Sequence, residues 1–112
     1  MNDLSWKEFE RIELRVGTIL SAEIFKEARI PAIKLSIDFG NDIGIRKSSA
    51  QITGHYLPEE LIGKQISAVV NFPKKQIGPM MSECLVTGFI QDDGSVILAV
   101  PDKVSKNGAR LA

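Results

Sequence analysis

The chain opens with a helix signal and then changes period. Ser5-Trp6-Lys7-Glu8 has the form of a capping box, the Ser5 hydroxyl accepting from the Glu8 N–H, and Trp6 and Phe9 fall on one helical face. A short helix is expected there, with its aromatics closing one end of the core. From Ile12 the period becomes two. Ile12, Leu14, Val16, Thr18, Leu20, Ala22 and Ile24 point one way and Glu13, Arg15, Gly17, Ile19, Ser21 and Glu23 the other, which predicts a long strand with Gly17 as the natural place for a bend or bulge. Alternation returns after Pro31 as Ile33, Leu35, Ile37 and Phe39 against Lys34, Ser36 and Asp38. Gly40-Asn41-Asp42 supplies residues that tolerate positive φ, and a hairpin leads into a third strand from Ile43 to Thr53. Its apolar phase shifts from Ile43 and Ile45 to Ala50 and Ile52, so a bulge is expected across Arg46-Lys47-Ser48-Ser49, aiming polar side chains out of the sheet.

His55 to Gly63 reads as one or two helical turns, with Pro58 near the first position, acids in the first turn and Gly63 as the stop. Ile66, Ala68, Val70 and Phe72 form one face of a fourth strand. A proline-rich loop follows, then a fifth strand from Cys84 to Ile90, and Asp92-Asp93-Gly94-Ser95 turns the chain into Val96 to Val100. Pro101 to Ala112 reads as an edge strand or a tail. The expected class is all-β with short helices: one domain over residues 1–112, a five-stranded Greek-key OB-fold barrel with an N-terminal helix and a C-terminal strand extension. An SH3-like barrel is compatible with the same string.

Composition narrows the function more than the fold. At 112 residues the chain can bury one core, and 44% hydrophobic with 25% charged residues is ordinary for a globular domain. No apolar run is long enough to span a bilayer, and Met1 to Glu10 lacks the pattern of a signal peptide, so a cytoplasmic protein without membrane insertion is expected. The formal net charge is zero, from 14 basic and 14 acidic residues, so the global footprint of a nucleic-acid binder is missing. Between Ile43 and Ser82, however, Arg46, Lys47, Lys64, Lys74 and Lys75 face only Glu59 and Glu60, which allows a local basic face.

Catalytic chemistry has little to stand on. With one His and one Cys, His55 and Cys84 could form a dyad only by tertiary accident; a lone strand cysteine is ordinarily a small buried hydrophobe, and no spacing suits a metal or a nucleotide phosphate. We expect no enzyme, no cofactor and no metal. The stretch from Val69 to Phe89 is the richest in loop chemistry, with two prolines, Lys74-Lys75, Met80-Met81 and Ser82 between apolar runs. Met80 and Met81 can be ordinary packing or a soft apolar contact surface, and only Tyr56 and Phe72 look placed to stack on a base.

Ile12 to Ile19, Arg46 to Ile52 and Asn71 to Leu85 together resemble the tRNA-binding domain that occurs as a free protein and appended to aminoacyl-tRNA synthetases, over nearly the whole chain. The loop from Val70 to Glu83 resembles in particular the secretion-associated chaperones of that family. The resemblance implies an OB-fold homodimer without catalytic activity or cofactor. Synthetase-appended members carry an Asn-Leu-x-Pro-x-Lys-Met-x-Gly loop followed by Ser and Gly-Met. Here Asn71 and Ser82 match, whereas Gln76 replaces a Lys, Ile77 the Met and Cys84 the Gly. Two partners follow. Unfolded or pre-secretory polypeptide would lie along Phe72, Lys74, Lys75, Ile77, Met80 and Met81; tRNA or another structured RNA would meet Arg46, Lys47, Ser49, Asn71, Lys74, Lys75 and Ser82. Loss of the loop Lys and the neutral total charge weigh toward polypeptide.

Overall fold

The computed structural model describes residues 1–112. Helix α1 (Trp6–Glu10) leads into strands β1 (Leu14–Ile24), β2 (Ile33–Asp38) and β3 (Ile45–Ala50), then helix α2 (Pro58–Leu61) and β4 (Gln65–Val69). Five short strands complete the chain: β5 (Lys75–Ile77), β6 (Met80–Ser82), β7 (Leu85–Val86), β8 (Gly88–Ile90) and β9 (Val96–Leu98). The main sheet is antiparallel in the order β3-β2-β1-β4-β7. Its two outer strands meet through residues 82–84: the Glu83 N–H donates to the Lys47 carbonyl at 2.7 Å, and the Ser48 hydroxyl to the Cys84 carbonyl at 3.0 Å. Five strands in this order, nearly closed, with a helix between the third and fourth, are the OB-fold.

The long first strand serves both sides of the barrel because it bends, though not at the glycine. Its register against β2 slips between Ile19 and Ser21, which leaves Leu20 as an unpaired, exposed bulge residue. The inward phase therefore inverts. Gly17 and Ile19 face the core before the bulge, and Ala22 packs against it afterwards, opposite to the single alternation expected for this stretch. Gly17 serves close approach instead: a Cβ there would lie 2.6 Å from Ile37 Cγ2 and 2.8 Å from the Phe39 ring.

The expected bulge in the third strand is absent. β2 and β3 pair in unbroken register from Ile33↔Ala50 to Asp38↔Ile45, and what breaks the apolar pattern is a buried hydroxyl, Ser48, which occupies an inward position because it bonds to the neighbouring strand. The hairpin between them turns on Gly40 and Gly44 at φ of 89° and 82°, leaving Asn41 and Asp42 at negative φ.

Leu61 of α2 is fully buried in the barrel core, in one cluster with Ile19, Ile33, Ile37, Ile66 and Cys84, and Gly63 ends the helix as expected. The N-terminal capping box also forms, with the Glu8 N–H 3.1 Å from Ser5 Oγ and the Ser5 N–H 3.0 Å from Glu8 Oε1. Its aromatics do not close the core. Trp6 is 81% exposed, Phe9 is only half-buried and α1 buries no residue. The expected fifth strand splits at Thr87. β7 stays with β4, whereas β8 leaves to pair with β9, and the parting is held by Ser67, whose hydroxyl meets Thr87 Oγ1 and the Ala99 carbonyl at 2.7 Å each. The last residues run beside β1, with the Val16 N–H on the Ala109 carbonyl and the Leu111 N–H on the Leu14 carbonyl.

Gly17→Ala forces a methyl into the Ile37 and Phe39 side chains, an overpacking change expected to cost about 1–3 kcal/mol. Denaturant titration should show a lower midpoint with an unchanged m-value.

Candidate functional site

The loop between β4 and β7 is a folded hairpin. β5 and β6 pair across Gly78-Pro79, and a satellite core of Phe25, Ala32 and Met80, joined by Ala28 and Ile77, packs the hairpin tip onto the connection between β1 and β2. The two methionines thus separate: Met80 is 8% exposed and belongs to this core, while Met81 is 38% exposed on the opposite side of the strand. At the loop's entrance Asn71 is a clamp, its Oδ1 accepting the Glu13 N–H at 3.1 Å and its Nδ2 donating to the Arg11 carbonyl at 2.7 Å. At its exit the Ser82 hydroxyl accepts the Ser49 N–H at 3.4 Å.

Between this hairpin and β3 lies an open trough of about 390 Å³. Ser49, Phe72, Lys75, Ile77, Ser82 and Leu85 line it, so five residues of the two candidate sets share one concavity. Phe72 and Leu85 are exposed apolar groups at its rim. Lys47 and Met80 belong instead to a neighbouring groove of about 520 Å³ over β1 and β2, together with Lys34. Tyr56 lies elsewhere: its hydroxyl accepts the Leu98 N–H at 3.0 Å and Lys64 sits 5.8 Å from its ring centre, so its faces are not free for a base.

The cations of the face are unequal. Arg46 points its guanidinium at main-chain carbonyls of the loop, Val70 at 3.2 Å and Glu83 at 3.5 Å. Lys74 Nζ stands 3.5 Å from Glu83 Oε2, and Lys34 Nζ 3.1 Å from Glu23 Oε1. Lys47 and Lys75 have no acid partner. Glu83 is the residue that sequence reading passed over. Its Oε1 accepts the Lys47 N–H at 3.0 Å, and this bond, with the Lys74 ammonium, holds its carboxyl below the usual range against the opposing effect of burial. Nothing in the string marks it, since its partners are 36 and 9 positions away.

Cys84 and His55 form no pair. The Cys84 thiol is buried behind the trough, 3.8 Å from the Lys47 carbonyl, and burial pushes it up to about 11, so it is protonated and unreactive at neutral pH. His55 Nε2 meets Ser95 Oγ at 2.7 Å on the exposed turn between β8 and β9. No group of three or more His, Cys, Asp or Glu is arranged to hold a metal, and no helix is long and apolar enough to cross a membrane.

The architecture is thus an OB barrel with a loop hairpin folded over its outer strands, and comparison with known proteins gives its family. Residues 14–110 match the family described as "Putative tRNA binding domain", and the chain belongs to it. It is 48% identical to the chaperone CsaA of Bacillus anthracis, whose crystal structure superposes with a TM-score of 0.93 over 99% of this chain and all of that one. It is 49% identical to CsaA of Picrophilus torridus, at a TM-score of 0.91 over 98% of this chain and 100% of the other. Methionine-tRNA ligase of Methanocaldococcus jannaschii is 30% identical over 111 residues, 99% of this chain but 17% of the ligase. The chain thus spans less than a fifth of the curated relatives it matches.

Cys84→Ala is expected to lower stability by about 1–2 kcal/mol at pH 7 and to leave binding intact. The folded thiol holds its proton to higher pH than the unfolded one, so this group's contribution is complete below about pH 9 and is lost as pH rises toward 11. The deficit of the alanine variant should therefore shrink over that window in denaturant titrations.

Proposed function

We propose that the protein is a cytoplasmic chaperone of the CsaA type, a homodimer that holds unfolded or pre-secretory polypeptide by binding alone, without catalysis or cofactor. One observation carries this reading: the trough presents exposed apolar groups, Phe72, Leu85 and the adjoining Met81, while only Lys47 and Lys75 of the surrounding lysines are free of an acid. Apolar side chains on an adaptable rim suit varied extended segments. Two unpaired lysines neutralise few phosphates, and phosphate contacts dominate RNA affinity. Full-length similarity to two CsaA chaperones supports the same choice.

Dimerisation is supported by surface left over in the single chain. Its accessible area is 7702 Å², against about 6,100 Å² for a compact monomer of this mass. One cluster of exposed apolar groups is suited to a partner: Phe89, Ile90, Ile97 and Val100 are exposed on the β8–β9 hairpin and the residues after it, beside a groove of about 590 Å³ lined by Leu14, Val16 and Leu111.

The second reading, tRNA binding, is favoured by the family match and by Lys75 beside Ser49 and Ser82 in the trough, with Lys47 in the neighbouring groove. Paired variants separate the two. Phe72→Ser with Met81→Ser removes apolar contact and leaves Met80 in its core; Lys74→Glu with Lys75→Glu reverses charge. Suppression of aggregation of an unfolded client should fall several-fold with the first pair, and tRNA retention on a filter with the second. Undiminished client protection in the first pair, with nanomolar tRNA binding abolished in the second, overturns the chaperone reading. Light scattering should give twice 12.3 kDa; a particle of 12.3 kDa at micromolar concentration overturns the dimer.

A further inference from the structure

Glu83 is an acid set inside a basic rim, and it cannot leave. One carboxylate oxygen accepts the Lys47 N–H at 3.0 Å and the other faces Lys74 Nζ at 3.5 Å, while its own N–H and carbonyl are engaged by the Lys47 carbonyl and the Arg46 guanidinium. Its side chain is 19% exposed, that of Lys74 62%. Lys74 therefore presents to solvent a charge already answered from beneath. A phosphate diester approaching that ammonium meets a carboxylate a few ångströms behind it, well within the distance over which salt screens charges. A polypeptide backbone is neutral and suffers no such repulsion.

We infer that Glu83, just after the hairpin's exit strand and beside the trough, is a specificity-determining residue, which discriminates against polyanionic RNA and leaves polypeptide binding in the trough unhindered. The inference rests on the reading of the trough as the partner-binding surface. Lys74, one of the two residues shared by the polypeptide and RNA sets, is the group through which Glu83 acts.

Glu83→Gln tests this in the full chain, because the amide oxygen can still accept the Lys47 N–H while the charge opposite Lys74 is lost. Filter binding of tRNA across a salt series should show affinity raised on the order of 5- to 10-fold near 100 mM salt, with the slope of log K against log salt steeper by about one, as for one additional phosphate contact. The gain should vanish in Glu83→Gln with Lys74→Met, and Glu59→Gln, the same change of net charge on α2, should give none. Suppression of client aggregation should stay within about twofold. Unchanged tRNA affinity and slope in a Glu83→Gln protein of normal melting temperature overturns the inference, as does a gain that survives Lys74→Met. Should Glu83→Gln fail to fold, single substitutions decide: Lys74→Met must cost less tRNA affinity than Lys75→Met, and an equal or larger cost overturns the inference. A tRNA gain in a protein that protects no client would remove the chaperone reading and leave the role of Glu83 standing.

Discussion

The structure depends on one seam, where residues 82–84 close the barrel against β3. Without it the sheet is open and the inner faces of β3 and β7 are wet. The seam is short and is made of unlike parts: a main-chain bond from Glu83 to Lys47, a carboxylate on the Lys47 N–H, and the Ser48 hydroxyl on the Cys84 carbonyl. Side chains do here what a regular ladder does elsewhere, since β6 belongs to a separate two-stranded sheet with β5 and makes no ladder with β3. A polar side chain buried in such a place costs stability unless bonded, and no buried side-chain nitrogen or oxygen is left without a partner.

The seam also makes the site. The trough exists because the hairpin is pinned at both ends, by Asn71 to the segment before β1 and by residues 82–84 to β3, and is supported beneath by Met80, Phe25 and Ala32. Its walls are thus fixed by packing, while its rim groups, Phe72, Lys74, Lys75 and Met81, are exposed. In a family whose curated relatives include methionine-tRNA ligases, the same frame can carry different rims.

Much of the frame was legible in the chain because it is local. The capping box of α1, the alternation of β2, the proline start and glycine stop of α2 and the Asp-Asp-Gly-Ser turn each depend on residues within one element. What failed was non-local. The inversion of β1 depends on a bulge that only pairing with β2 defines, and Ser48 is buried because a carbonyl 36 positions away accepts its proton. The exposed Trp6 read as core since amphipathic spacing shows a face but not what covers it. At the site, the residue types and the loop were readable, whereas the pairing of Lys74 with Glu83 and the opposite fates of Met80 and Met81 came only from tertiary contact.

The run of residues 108–111 beside β1 bears on the order of events as the chain is made. β1 pairs with β2 only from Thr18 onward, so over Leu14 to Val16 one edge of the strand has no neighbour until the Val16 N–H finds the Ala109 carbonyl and the Leu111 N–H is placed on the Leu14 carbonyl. These contacts join positions more than ninety apart, among the slowest to form. During synthesis the nascent barrel therefore carries an open strand edge until residues 108–111 have been made and have docked, the kind of edge that recruits other chains. The time between the making of β1 and the docking of residues 108–111 is how long that hazard lasts.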